Sequence, residues 1–245
     1  MVAGGGAEDP VSHLASLADP SLDDLVEAVI AWTHLVMGES EIVEACGRFY
    51  ADNGKVFPDD PFYDTRMSYF FDVFVFERPL ASPRAAEYGL ASATPYELFI
   101  AHVRDPARGV PPAVVERLAR LGGFRHALFQ IVKLQERTMV VQDLTRPERA
   151  RHVVTARAGD TFRGLEKKAI FQGFLFPIGD VDQLSHGLVL HPQRANRIIR
   201  RFVRLGQKGE NFSRRIALAK LANVQIRHLR HRHVDPKIIY QTDLK

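Results

Sequence analysis

Apolar residues recur at three- and four-residue spacing through the first half of the chain, at two-residue spacing through a middle stretch, and at helical spacing again from Pro192. Ser21 and Asp24 form a capping pattern ahead of Leu22, Leu25, Val26, Val29, Ile30 and Leu35, which predicts a first helix. A second helix fits Ser40 to Tyr50 and stops at the turn signal Asp52-Asn53-Gly54. In PFYDTRMSYFFDVFVFERPL the residues Tyr63, Met67, Phe70, Phe71 and Phe74 share a helical face, so a helix is expected, its aromatics reading as core more than as a ligand pocket. Thr94-Pro95-Tyr96-Glu97 combines an N-cap threonine, a first-turn proline and a capping-box glutamate. A further helix runs from Pro112 until Gly122-Gly123.

Beyond that glycine pair the period shortens towards two. ALFQIVKLQERTMVVQDL reads as two strands around Gln135-Glu136-Arg137, ARHVVTARAGD as a third, KKAIFQGFLFPIGD as a fourth and HGLVLHP as a fifth. Short strands with turns between them predict a small antiparallel barrel-like module. From Pro192 the stripe Ile198, Ile199, Phe202, Val203 and Leu205 predicts a helix, which Gly206 and Gly209 separate from another starting near Asn211 or Ser213. The expected fold class is therefore α+β. It comprises a disordered segment 1–10, a helical subdomain 11–122, a β-barrel-like module 123–190 and a basic helical arm 191–245.

The runs FFDVFVFERPL, ATPYELFIAHV, HALFQIVKL, MVVQDLTRPERARHVV and AGDTFRGL resemble a poorly characterised bacterial domain. In that domain an aromatic helix ending in RPL is followed by a TP-x-E-x-F helix start, a strand, a DL turn and a late GD turn, and a SEC-C zinc-binding motif often accompanies it. The resemblance covers roughly residues 65 to 180. It implies a helical subdomain joined to a small β-barrel and attaches no activity to it. The single cysteine of this chain, Cys46, cannot supply a cysteine-rich ligand set, so zinc is not carried over.

With 245 residues, 46% of them hydrophobic, the chain has the composition of an ordinary globular protein. No run of eighteen apolar residues occurs, and MVAGGGAEDP lacks the features of a secretory signal, so a cytoplasmic protein without a transmembrane segment is expected. Cys46 excludes an internal disulfide and reads as a buried structural thiol. Charge changes the picture more. The formal net charge is +4, yet residues 191–245 carry fourteen Lys or Arg against only Glu210, Asp235 and Asp243. The rest of the chain is net acidic, so the C-terminal part calls for an anionic partner, external or internal.

Catalytic patterns are lacking: there is no Walker lysine loop, GxSxG elbow, HExxH or dinucleotide fingerprint. Asp59, Asp60, Asp64 and Asp72 would serve acid–base chemistry only if they converged, and read better as caps and loop charges. His228, His231 and His233 with Asp235 could ligate a metal, but Arg227, Arg230 and Arg232 oppose a cation, so neither metal nor cofactor is expected. Asp143, Thr145, Arg146, Arg149 and Arg151 resemble in part the turn and arginine pair by which PilZ barrels hold cyclic di-GMP. The turn lacks its glycine, and the RxxxR spacings, Arg197 with Arg201 and Arg200 with Arg204, follow the barrel instead of preceding it.

The C-terminal arm carries the strongest candidate chemistry. Arg194, Arg197, Arg201 and Arg204 fall on one helical face with Arg200 beside them, and Arg214, Arg215, Lys220, Arg227 and Arg230 continue the charge. Arginine suits bidentate contact with phosphate or carboxylate. The expectation is a non-enzymatic binding or adaptor protein whose arm engages nucleic acid first, and otherwise an acidic protein surface, a homo-oligomeric neighbour or lipid. A PilZ-like module sensing a cyclic dinucleotide is the alternative.

Overall fold

The structure, a computed structural model, describes residues 9–80, 86, 92–146, 148–209 and 212–244. It is an α+β protein with N-terminal helices, a small five-stranded mixed β-barrel and C-terminal helices. The described residues fall into two compact units, one within 9–45 and 71–123, the other within 46–70 and 124–244. The sequence places 46–70 with the N-terminal helices, whereas it clusters with the barrel.

In the first unit, helix α1 (Pro10–Ser16) begins on Asp9, whose carboxylate accepts from the Ser12 amide at 3.2 Å. The helix thus starts within the decapeptide expected to be disordered, whose first eight residues lie outside the described ones. Helix α2 (Leu22–Met37) has the anticipated reciprocal cap between Ser21 and Asp24, and its buried face carries Leu25, Val29 and Trp32. Helices α3 (Glu39–Asn53) and α4 (Tyr63–Glu77) each have residues in both units, and α5 (Pro95–Val103) of the first unit is capped by Thr94 and Glu97. Trp32 packs its ring 5.4 Å from that of Phe99 on α5. Helix α6 (Pro112–Arg120) ends where the Tyr96 hydroxyl donates to the Leu118 carbonyl at 2.8 Å.

The second unit holds the barrel. Its strands are β1 (Arg125–Leu134), β2 (Thr138–Asp143), β3 (Arg151–Thr155), β4 (Ile170–Ile178), β5 (Val181–Leu184) and β6 (Val189–His191). β1, β2, β3, β5 and β4 follow one another round the ring, β1–β4 pairing closes it, and β6 adds to β4. The sequence predicts an antiparallel barrel, but β3 and β5 pair in parallel. A ring of five strands cannot alternate direction throughout, so closure forces one parallel pair. Sequence reading also passes over β5, which the two-residue Gly179-Asp180 turn joins to β4, with Ile178 opposite Val181. Gly179 has φ 60°, as a tight hairpin turn with glycine first requires.

Phe129, Phe171, Met139, Val141, Val154 and Leu175 are among the side chains that fill the barrel. Leu128 and Ile170, which alternate with Phe129 and Phe171, point outward yet are buried as well. They are covered by α7 (Asn196–Gln207), α8 (Arg214–Arg230) and α9 (Pro236–Asp243), through Ile199, Val203, Leu218, Leu221 and Tyr240. The C-terminal helices are thus part of the body of this unit, sharing a core with the barrel. The third of them, α9, is not foreseen in the sequence. Gly206 lies in the last turn of α7, and a Cβ there would fall 2.6 Å from the Phe212 ring. The absent side chain lets the returning chain pack against the helix.

A polar cluster is buried in the same unit. The Arg66 guanidinium, 3% exposed, donates to the Ala222 carbonyl at 3.0 Å and to Gln225, while Tyr69 and Gln172 bond to each other and Tyr69 to His126. His191 shares a 2.9 Å hydrogen bond with the Tyr240 hydroxyl. Burial, with the Arg66 charge adding to it, pushes the His191 pKa down to about 3. The unfolded imidazole titrates near ~6.5, so between that pH and about 3 the unfolded chain binds the extra proton. The His191 contribution to stability is therefore complete above neutral pH and declines as pH falls through this window. Urea melts at pH 7 and pH 5 should show a smaller acid loss in His191→Gln than in the native chain, and an equal loss would contradict the assignment.

Candidate functional site

Helix α7 is amphipathic because its arginines and its aliphatics recur with the same period on opposite sides. At 3.6 residues per turn, Arg197, Arg200, Arg201 and Arg204 fall within about 100° of the circumference, opposite Ile199 and Val203, while Arg194 and Ala195 lie in the 3-10 turn that leads into the helix. The aliphatics are buried against the barrel and α9, so the arginines must point away from the core. All five are exposed. They line a groove of about 980 Å³ together with Gln193, Asn196, Leu205 and Arg149, which comes from the turn between β2 and β3.

The electrostatics of this groove separate it from an ordinary solvated helix face. Arg194 is paired with Asp235 at 3.2 Å. The side chains of Arg197, Arg200, Arg201, Arg204 and Arg149 have no ion-pair or hydrogen-bond partner among the described residues. Among the described residues no carboxylate lines the groove, although Glu166 accepts from Gln193 at its border. Such a concentration of unmatched guanidinium groups raises the local potential and attracts anions. Among the described residues that line the groove there is no aromatic ring on which a base could stack.

The other basic residues singled out in the sequence lie elsewhere. Arg214, Arg215, Lys220, Arg227 and Arg230 are on α8. Arg227 pairs with Asp243 at 2.6 Å, and Arg230 with Asp60 at 3.0 Å while its guanidinium lies over the Phe57 ring. The Lys220 ammonium lies over the Phe202 ring, 5.5 Å from its centroid. Arg215, Lys220 and Arg227 border a separate recess that also contains Asp52 and Asp243. The basic sequence thus divides into an unpaired set on α7 and a set on α8 that has acidic residues close by.

The nucleotide-site candidates divide as well. The Asp143 carboxylate, 1% exposed, accepts from the Thr145 amide at 2.7 Å and from its hydroxyl at 2.6 Å. Arg146 lies 3.6 Å from Asp143 and 3.7 Å from Glu148. Asp143 and Thr145 therefore shape the turn, Arg151 is exposed on β3, and only Arg149 of the five joins the α7 arginines. Among the other candidates, Asp60 is engaged by Arg230, and Cys46 is half-buried. His231 and His233 have ring centroids 6.1 Å apart, and among the described residues no three His, Cys, Asp or Glu side chains group as metal ligands. No described helix is long and apolar enough to cross a membrane.

Sequence reading misses Arg149 as a neighbour of α7, and also Gln193 and Asn196. Arg149 carries a signal only in three dimensions, because the turn that presents it is 45 residues or more from the helix in sequence.

Compared with protein-family models, curated proteins and solved structures, the chain matches none. Its function is read from geometry and charge.

Proposed function

We propose that the protein is a non-enzymatic nucleic-acid-binding module whose contact surface is the arginine face of α7. The observation that carries this reading is the convergence of Arg197, Arg200, Arg201, Arg204 and Arg149, without side-chain partners among the described residues, on one open groove. Arginine forks match phosphate oxygens, and a run from Arg197 to Arg204 rises about 10 Å along the helix, enough to meet more than one phosphate. A groove without aromatic rings favours backbone contact over base stacking, so affinity comes with little sequence selectivity. The cyclic-dinucleotide alternative is supported less, since Asp143 and Thr145 are bonded to each other.

The test is a salt titration of duplex DNA binding. Each neutralised phosphate releases counterions, so log affinity should fall linearly with log salt with a slope of roughly −0.9 per contact. Contact by three to five arginines predicts a slope of about −3 to −4.5. Absence of binding at low salt would defeat the reading.

One observation favours a second reading, an acidic protein surface or another copy of the chain. Leu205 and Ile238 are 54% and 58% exposed along a groove of about 880 Å³ between α7 and α9, rimmed by Arg194, Arg201 and Lys237. Light scattering across a dilution series distinguishes self-association, which would show a mass above the 27.6 kDa of one chain.

A further inference from the structure

Beside the arginine groove lies a smaller recess of about 90 Å³, bordered by Arg149, Arg200, Arg204 and three glutamines, Gln130, Gln142 and Gln207. The three arginines line the large groove too, so the two spaces adjoin. The glutamine side chains are anchored. Gln130 donates to the Lys168 carbonyl at 3.1 Å, Gln142 to that of Arg149 at 3.3 Å and Gln207 to that of Leu144 at 3.1 Å. These bonds fix the polar wall, and Leu144 and Val203 supply the apolar part of the lining.

Arg149 is itself held in place. Its φ is 50°, in the left-handed region that non-glycine residues seldom occupy, and its amide donates to the Arg146 carbonyl at 3.1 Å. The turn begins at Asp143, whose carboxylate holds both polar groups of Thr145, and the Asp143 amide donates to the Ala150 carbonyl at 2.9 Å. The buried aspartate therefore organises the loop that brings Arg149 to the recess.

Size and charge restrict the ligand. A recess of about 90 Å³ is worth roughly three waters at ~30 Å³ each, which admits a phosphate group and excludes a nucleobase or a dinucleotide. Three guanidinium groups and, among the described residues, no carboxylate border it. A phosphodiester inside a strand offers about one negative charge, whereas a phosphomonoester carries roughly −1.5 to −2 near neutral pH. The more highly charged group is the better complement to three arginines.

We propose that this recess is an end-recognition site for a terminal phosphomonoester of a nucleic-acid strand whose backbone runs along the groove. The proposal rests on the nucleic-acid reading above and adds a preference for phosphorylated ends. The 5′- and 3′-phosphates share this chemistry, and separate probes distinguish them.

The experiment measures, by fluorescence anisotropy at fixed salt, binding of the full chain to one oligonucleotide bearing a 5′-phosphate, a 3′-phosphate or hydroxyls at both ends. A hydroxyl-ended strand one nucleotide longer matches the number of phosphate groups. The expected result is about tenfold tighter binding of one phosphorylated form, lost in Arg149→Asn and kept in Arg197→Ala, where affinity falls for every strand. Asparagine tolerates the left-handed backbone, so the turn survives the substitution. Equal affinity for phosphorylated and hydroxyl ends would overturn the proposal and leave the nucleic-acid reading standing. If no strand binds at low salt, that reading fails, and methyl phosphate becomes the probe. Amide shifts confined to Gln142, Arg149 and Gln207 would then support the recess, and their absence would overturn it.

Discussion

Replacing Arg197, Arg201 and Arg204 together by alanine is expected to weaken duplex binding at least about tenfold near 0.1 M salt and to flatten the salt slope by roughly 2 to 3. The size of the effect follows from geometry. These side chains are exposed, line one groove and have no partner among the described residues, so their charge is available to phosphate. The same substitution should change stability by no more than about 0.5 kcal/mol, because exposed, unpaired side chains contribute little to folding and alanine is the best helix former. Anisotropy and urea melts on the same preparations check both halves. A triple variant that unfolds would mean that the arginines hold the helix in place, and the binding surface would have to be sought elsewhere.

Truncating the opposite face should do the reverse. Ile199→Ala is expected to cost about 3 kcal/mol, within the range of roughly 2 to 5 for large aliphatics in a core, and to lower the melting temperature by about 6 to 12 °C. Ile199 is fully buried in the cluster that contains Leu128 and Ile170 of the barrel and Tyr240 of α9. Emptying that position leaves a cavity between helix and strand. In the fraction that remains folded, the salt slope should match that of the native chain, since no charge has been removed. A loss of less than about 1 kcal/mol would show that α7 is not packed on the barrel as described.

How much of this the sequence reveals depends on whether a feature is local. Thr94-Pro95 marks α5 because the cap hydroxyl and the fixed proline φ act within one turn. The same chemistry stands at Asp9-Pro10 and Asp235-Pro236, where the carboxylate accepts from an amide two or three residues on. Those two starts escape notice because the helices they begin are short, at 7 and 8 residues, and show weak periodicity. β5 is hidden for another reason. Its sequence Val181-Asp182-Gln183-Leu184 lacks an apolar alternation, because the buried position is Asp182, held by Arg125 at 2.8 Å and His152 at 3.3 Å. A strand that buries an ion pair does not look like a strand.

The candidate site is legible to the same extent. The arginine spacing on α7 fixes a face from the helical period alone, and the aliphatic stripe fixes which way that face points. Pairing is not local. Arg227 and Arg230 resemble Arg201 and Arg204 in the sequence, yet Asp243 and Asp60, the latter 170 residues away, take them up. Arg149 likewise reaches the groove through barrel closure and not through any motif.

The central claim is that nucleic acid contacts α7 and the Arg149 turn in preference to α8. Photo-crosslinking of the full chain to an oligonucleotide, with attachment sites mapped by mass spectrometry, tests it most directly. Crosslinks should concentrate on residues 193–205 and on the turn around Arg149. Crosslinks concentrated on Arg214 to Arg230, or on residues 9–45, would contradict the account.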